Sequence, residues 1–199
     1  MKIVLLNGSP NKEGNTYYLL KEIAKEIEKD GITTEIINVH KAVCDAKTPF
    51  CSVCSNPCSK TCYKDTLLEE AYEKMANADC IIIGSPVYFG TMSGQLKTFF
   101  DKTRAYRGAN VFAGMPAGIV TVGASKYGGE ETTASSIIDT LQVQGFSIFN
   151  NAYKGISAGH KGVLAQRPAQ NDENASSLIL PFAKRAILEA KKYEYSKTL

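Results

Sequence analysis

The stretch Lys2-Ile3-Val4-Leu5-Leu6-Asn7-Gly8-Ser9-Pro10-Asn11-Lys12-Glu13-Gly14-Asn15-Thr16 decides the fold. Lys2–Leu6 is an apolar run without polar alternation, as expected of a strand buried on both faces of a parallel sheet. Asn7 and Gly8 end it at once, and the loop that follows leads directly into a helix. Over Thr16–Asp30, Leu19, Leu20, Ile23, Ala24 and Ile27 recur at helical spacing with Lys and Glu opposite. Gly31 is placed to stop that helix. A buried strand, a small-residue loop and an amphipathic helix form the opening of a strand–helix–strand unit.

The rest of the chain repeats the alternation. Thr33–Asn38, Asp79–Gly84, Ala117–Val122 and Phe146–Asn150 read as further strands, and Leu67–Ala76, Met92–Arg104, Glu131–Val143 and Ala175–Lys192 as helices. Tyr153–Asn171 is polar and contains glycines, and reads as a long loop. The stretch from about His40 to Asp65 is irregular and rich in cysteine. Strands alternating with helices predict an α/β fold, a doubly wound five-stranded parallel sheet with helices on both faces. Residues 1–199 read as one domain with a cysteine-rich insertion at about 40–65, after strand two. Ligands of such sheets bind at the carboxyl ends of the strands, so the loops after strands one, three and four are where chemistry is expected.

Composition narrows the function classes. Hydrophobic residues make up 44% of the chain, enough for an ordinary core and too many for a disordered segment. The net charge of +3 is small and its lysines and arginines are scattered, giving no reason to expect nucleic acid. No run approaches the roughly 20 apolar residues of a bilayer span. The N-terminal apolar run is too short for a signal sequence. A cytoplasmic protein with no membrane partner is expected. In a cytosolic chain, clustered cysteines point to metal binding or redox chemistry more than to disulfides.

In the first loop, Ser9, Asn11, Asn15 and Thr16 supply side-chain donors, Gly8 and Gly14 allow close backbone approach, and a helix N-terminus follows. That combination suits a phosphate. It is neither a Walker A loop, since Asn15 stands where the lysine belongs, nor a G-x-G-x-x-G fingerprint. The plainer reading is a polar turn in which Thr16 caps the helix. After strand three the chain reads Gly84-Ser85-Pro86-Val87-Tyr88-Phe89-Gly90-Thr91-Met92-Ser93-Gly94-Gln95-Leu96-Lys97. Backbone groups near Tyr88 and Phe89 could read the edge of a planar ring while their side chains pack on its face. Alternatively, both aromatics simply cover the core.

Asn7-Gly8-Ser9-Pro10, Gly14-Asn15-Thr16, Gly84-Ser85-Pro86-Val87-Tyr88-Phe89-Gly90 and Gln95-Leu96-Lys97, in order and spacing over the whole chain, resemble the NADPH-dependent FMN reductase family of flavodoxin-like proteins. The resemblance implies bound FMN, with Ser9, Asn11, Asn15 and Thr16 at its phosphate. It also implies that Pro86, Val87, Tyr88, Phe89 and Gly90 lie against the isoalloxazine. A third FMN loop after strand four matches Thr121-Val122-Gly123 and Gly128-Gly129-Glu130.

Cys51-x2-Cys54-x3-Cys58-x3-Cys62 packs four thiols into one loop. Such compact spacing suits a [4Fe–4S] cluster, whereas structural zinc more often uses two paired knuckles with a longer span between them. A disulfide or free thiols are the remaining options. Cys44 lies just upstream, and Cys80, at the start of a strand, reads as core. Within the FMN reductase group, an insertion in this place resembles the iron–sulfur flavoproteins of anaerobic archaea and bacteria, from whose motif this chain departs by one residue in the intervals after the second and third matching cysteines. That likeness implies an oxidoreductase in which FMN and cluster work together, ferredoxin or a similar electron carrier as partner, and a homodimer or homotetramer. His40 and His160 read as surface residues, and no catalytic side chain is assigned. Two other readings share the fold: a cluster-free NAD(P)H-dependent FMN or quinone reductase, and a flavodoxin-type carrier, although flavodoxins are usually acidic. A third is a zinc-stabilised binding module.

Overall fold

The computed structural model describes residues 1–125 and 127–197. β1 (Lys2–Asn7) lies inside the sheet, parallel to β2 (Thr33–Asn38) on one side and β3 (Cys80–Pro86) on the other. β3 is followed outward by β4 (Pro116–Gly123), again parallel. Side chains alternate between the two layers. Val4 and Leu6 pack with Tyr72, Phe99 and Leu96 on one face, and Ile3 and Leu5 pack with Leu19, Ile23 and Phe182 on the other. Apolar cover on both sides is why these strands lack polar alternation.

The second face carries α1 (Asn15–Glu28) and the closing helix α7 (Glu173–Ser196). The first carries α2 (Val39–Asp45), α3 (Leu67–Ala76), α4 (Gly94–Asp101), α5 (Arg104–Gly108) and α6 (Glu130–Gln142). Gly31, at φ +74°, ends the turn after α1 as expected.

Three details differ from the sequence reading. The fifth strand is split: β5 (Ser147–Ile148) pairs only with Pro116 and Ala117, and β6 (Val163–Gln166) pairs further along the same edge with Val120–Gly123. The sheet therefore has six strands in five positions, ordered β2-β1-β3-β4 with β5 and β6 sharing the last edge. Between them the chain leaves the sheet and returns, clamped by the buried Asn151. Its amide donates to the Gly162 carbonyl at 3.0 Å, and its side-chain oxygen accepts from the His160 N–H. The expected loop Tyr153–Asn171 thus contains a strand. Second, the cysteine-rich stretch begins with helix α2, capped by Asn38, whose side chain accepts from the Lys41 N–H at 2.9 Å. Third, the expected helix Met92–Arg104 ends at Asp101, and a separate short helix, α5, follows.

Candidate functional site

The first loop is shaped by its own short polar side chains. Asn7 accepts from the Ser9 N–H at 3.1 Å, Ser9 Oγ from the Asn11 N–H at 3.1 Å, and Asn11 from the Glu13 N–H at 3.3 Å. These turns bring the chain to α1 with Gly14, not Thr16, in the capping position and no side-chain cap there. The first intrahelical bond runs from Tyr18 N–H to the Gly14 carbonyl, leaving the N–H groups of the opening turn pointed toward the loop. Thr16 is a buried residue of the first turn. A Cβ at Gly14 would lie 3.1 Å from Asn11 Cγ, so the backbone here is closely approached.

This loop is clasped to the one after β3. The Gly8 N–H donates to the Gly84 carbonyl at 2.8 Å, and Ser93 Oγ donates to the Gly8 carbonyl at 2.5 Å while capping α4 through the Leu96 N–H. Ser85 Oγ in turn accepts from the Ser93 N–H at 3.1 Å. The β3 loop itself makes a tight hairpin: Tyr88 and Thr91 exchange backbone hydrogen bonds, with Phe89 at φ +51° and Gly90 at φ +77° on its tip. Two consecutive positive φ values define a mirror-image turn, which Gly accepts freely and Phe adopts only under constraint. Phe89 is fully exposed and Tyr88 about half so; neither covers the core.

The two loops and the ends of β4 and β6 enclose a cleft of about 210 Å³. Of the residues predicted from sequence, Ser9, Asn11, Asn15, Thr16, Pro86, Val87, Tyr88 and Gly123 line it. Phe89 and Gly90 form the turn at its rim. Thr121 is buried within β4, and its hydroxyl lies 3.2 Å from the Glu130 carbonyl, tying β4 to the start of α6. Gly128 sits in the third loop, and Gly129 packs against the hairpin, where a Cβ would lie 3.2 Å from the Gly90 Cα. Gly129 and Glu130 line a neighbouring, larger cleft of about 520 Å³ with Tyr127, Gln166 and Asp172. Asn15 has a second duty: its side-chain oxygen accepts from the Ala169 N–H at 2.8 Å.

Sequence reasoning missed Arg167. It follows β6, lines the cleft opposite the α1 N-terminus, and is held by the Gly123 carbonyl through its N–H at 2.9 Å and by the Ala124 carbonyl through Nε at 3.3 Å. No local pattern marks it, since its place depends on the split strand. Together the uncapped first turn of α1, the loop hydroxyls and amides, and the Arg167 guanidinium form a cradle of donors and positive charge that fits a phosphate monoester.

The thiol loop lies elsewhere. Cys51, Cys54, Cys58 and Cys62 are all free, between α2 and α3 on a segment without helix or strand, and Cys44 on α2 lies 3.6 Å from His40 Nδ1. Among the described residues, no three Cys, His, Asp or Glu side chains are gathered closely enough for one metal ion. A cubane asks for less crowding, because each thiolate meets a different iron. The donor chemistry and the surroundings fit such a group. Lys102 Nζ reaches Thr48 Oγ1 at 3.3 Å, Arg104 donates to the Ser55 carbonyl at 3.2 Å, and Lys60 Nζ stands 4.6 Å over the Tyr106 ring. The Tyr63 hydroxyl is buried with no hydrogen-bond partner. Its burial first, then the charges of Cys58, Tyr106 and Cys62, push its pKa well above the usual tyrosine value. Cys80 is fully buried and burial pushes its thiol up, as a core cysteine should be. The cleft and the thiol loop sit at opposite ends of α4, whose Ser93 cap clasps the cleft and whose Lys102 end meets the loop. Eight helical residues separate them by roughly 12 Å along the axis. No helix among the described residues is long and apolar enough to cross a membrane.

A doubly wound sheet with a phosphate cradle and an aromatic hairpin at its strand ends defines a flavodoxin-like oxidoreductase that uses FMN. The chain belongs to the NADPH-dependent FMN reductase family, whose model matches residues 1–160. It is 40% identical over 139 residues to an iron–sulfur flavoprotein of Methanocaldococcus jannaschii, covering 69% of each chain. It is 32% identical over 189 residues to an iron–sulfur flavoprotein of Methanosarcina thermophila, covering 93% of each. Among solved structures, a WrbA-like flavodoxin from Agrobacterium tumefaciens superposes with a TM-score of 0.64 at 16% identity, covering 96% of this chain and 98% of that one, which supports the fold.

Proposed function

We propose that this oxidoreductase holds a [4Fe–4S] cluster on Cys51, Cys54, Cys58 and Cys62 beside its FMN, and passes electrons between a one-electron carrier such as ferredoxin and an acceptor. The observation that carries the reading is the pairing of two built environments: a cationic phosphate cradle at the strand ends, and four free thiols on one loop bordered by cations. FMN exchanges one or two electrons and an iron–sulfur centre one, so together they join two-electron partners to one-electron carriers.

The chain's own residues bind and orient. The first turn of α1, Ser9, Asn11, Thr16 and Arg167 would hold the phosphate. The cleft is smaller than the roughly 300–1,000 Å³ of pockets that swallow a whole ligand, so the ring would lie outward along Pro86–Gly90, with Tyr88 and Phe89 at its edge. The exposed aromatics Tyr88, Phe89 and Tyr127 at this mouth suit cover by a second subunit, in a homodimer or homotetramer of a cytoplasmic protein.

The alternative with the same fold is a cluster-free NAD(P)H-dependent reductase, and the ungathered thiols are the observation in its favour. An anaerobic absorbance spectrum with iron, sulfide and flavin analysis on one sample separates the two. Cluster iron in stoichiometry with FMN supports the proposal. FMN without iron, after anaerobic reconstitution, sinks it.

A further inference from the structure

Lys102 is the only charged side chain among the described residues that is buried, at 1% exposure. It stands at the C-terminal cap of α4. Its ammonium reaches only the Thr48 hydroxyl, at 3.3 Å, and among the described residues it forms no ion pair with a carboxylate. An ammonium taken out of water without a compensating anion is costly. Other lysines of this protein show the usual solution, for Lys2, Lys74, Lys97 and Lys184 each meet a carboxylate within 2.8 Å at the surface. Thr48 lies three residues before Cys51, so this contact anchors the buried Lys102 ammonium at the start of the thiol loop.

A second buried group belongs to the thiol loop itself. Tyr63 follows Cys62 directly and is fully buried, yet its hydroxyl has no partner. Its ring stands edge-on to Tyr72, with centroids 5.1 Å apart. The Tyr72 hydroxyl, equally buried, does have a partner, the Phe99 carbonyl at 2.5 Å. A buried hydroxyl left unpaired is an exception that calls for a ligand.

We infer that Lys102 and Tyr63 are positioning residues for the metal–thiolate assembly on the cysteine loop, the first supplying a buried positive charge and the second an O–H donor to its sulfur atoms. The inference rests on the cluster reading. An iron–sulfur cube with four thiolates is an anion, and taking one electron from its carrier adds one negative charge. A fixed cation and a hydrogen bond to sulfur both favour the more negative, reduced state. The two residues therefore raise the reduction potential, poising the cluster to accept electrons from a weaker donor than it otherwise could.

The test is an anaerobic potentiometric titration of the FMN-loaded protein, following the reduced cluster by electron paramagnetic resonance. Parent, Lys102→Met, Lys102→Arg and Tyr63→Phe are compared, with FMN content as the check on folding. At a fixed poise, Lys102→Met shifts the oxidised-to-reduced ratio about tenfold toward oxidised, or about 59 mV for a one-electron couple. Tyr63→Phe moves it the same way, and Lys102→Arg stays near the parent. Cluster loss from Lys102→Met with retention in Lys102→Arg also supports the inference; loss from both overturns the charge role. Unmoved ratios in Lys102→Met and Tyr63→Phe overturn it outright. Should Lys102→Met fail to fold, Tyr63→Phe, which loses one oxygen, decides alone. A parent that takes up no iron defeats the cluster reading itself, an outcome distinct from a cluster whose potential ignores both residues.

Discussion

Gly8→Ala tests whether the close contact of two loops builds the FMN cleft. A Cβ on Gly8 would lie 2.7 Å from the Gly84 carbonyl oxygen and 3.0 Å from Leu96 Cβ and Cδ2. The first obstacle is backbone in the middle of the sheet and the second is a fully buried side chain, so neither can turn aside. The ends of β1 and β3 must part, and the 2.8 Å bond from Gly8 N–H to the Gly84 carbonyl lengthens or breaks. Overpacking of this kind costs about 1–3 kcal/mol, and a lost hydrogen bond about 1 kcal/mol more. At roughly 2–4 °C per kcal/mol for a chain of this size, the melting temperature falls by about 4–16 °C. Parting the loops also moves the Ser9–Thr16 wall away from the Pro86–Tyr88 wall, so the FMN dissociation constant, read from flavin fluorescence, rises by about tenfold or more. Gly94→Ala is the control: no atom lies within 4 Å of its Cβ, and an alanine in α4 is neutral or stabilising by up to about 1 kcal/mol. A Gly8→Ala protein that melts with the parent and binds FMN equally well would refute the reasoning, because the two strands would then have had room to spare.

Arg167→Gln raises the FMN dissociation constant about tenfold, the size of one charge-assisted hydrogen bond, and flattens its salt dependence. Riboflavin, which lacks the phosphate, binds as before; equal losses for both flavins would remove Arg167 from the phosphate site. Tyr72→Phe deprives the buried Phe99 carbonyl of its 2.5 Å donor and costs about 1–2 kcal/mol in thermal or urea unfolding. A Tyr72→Phe protein as stable as the parent would count against that bond. Glu35 is held below the ordinary carboxylate value of 4.5 by hydrogen bonds from Lys2 and Lys74. Because its folded pKa is the lower one, its contribution is complete above the unfolded value and is lost as pH falls from there through the folded value. Being partly exposed, it is worth about 0.5–1 kcal/mol. Glu35→Gln should therefore destabilise at pH 7 and converge with the parent in acid, as unfolding curves at both pH values would reveal; a constant difference would refute the assignment.

How much of this was legible beforehand varies by element. Leu67–Ala76 matches α3, and the starts and ends of β1, β2 and α1 fall within a residue or two of the observed bounds. Each carries its own periodicity or a run of buried aliphatics. α2, capped by Asn38, leaves little trace in the sequence, because seven residues hold too few apolar positions to outweigh the cysteines beside them. β6 was hidden for a different reason. Val163–Gln166 is four residues between Gly162 and Arg167, and it is a strand only because β4 extends beyond the reach of β5 and offers an unpaired edge.

The site divides the same way. The polar small-residue loop, the aromatic hairpin and the four thiols are compact in the chain, and local spacing sufficed to pick them out with the chemistry each suits. Tertiary structure alone decided which of those residues meet. It put Ser9, Asn11, Asn15 and Thr16 across one cleft from Pro86, Val87 and Tyr88, drew Thr121 away into the anchoring of α6, and brought in Arg167 from a segment that reads as plain loop. It also buried Lys102 against Thr48, two residues 54 positions apart. Local order follows from side-chain periodicity and backbone preference, which a short window of residues contains. A cleft or a buried charge follows from which strand edges pair and which helix ends meet them, and those contacts join positions that no window of the chain holds together.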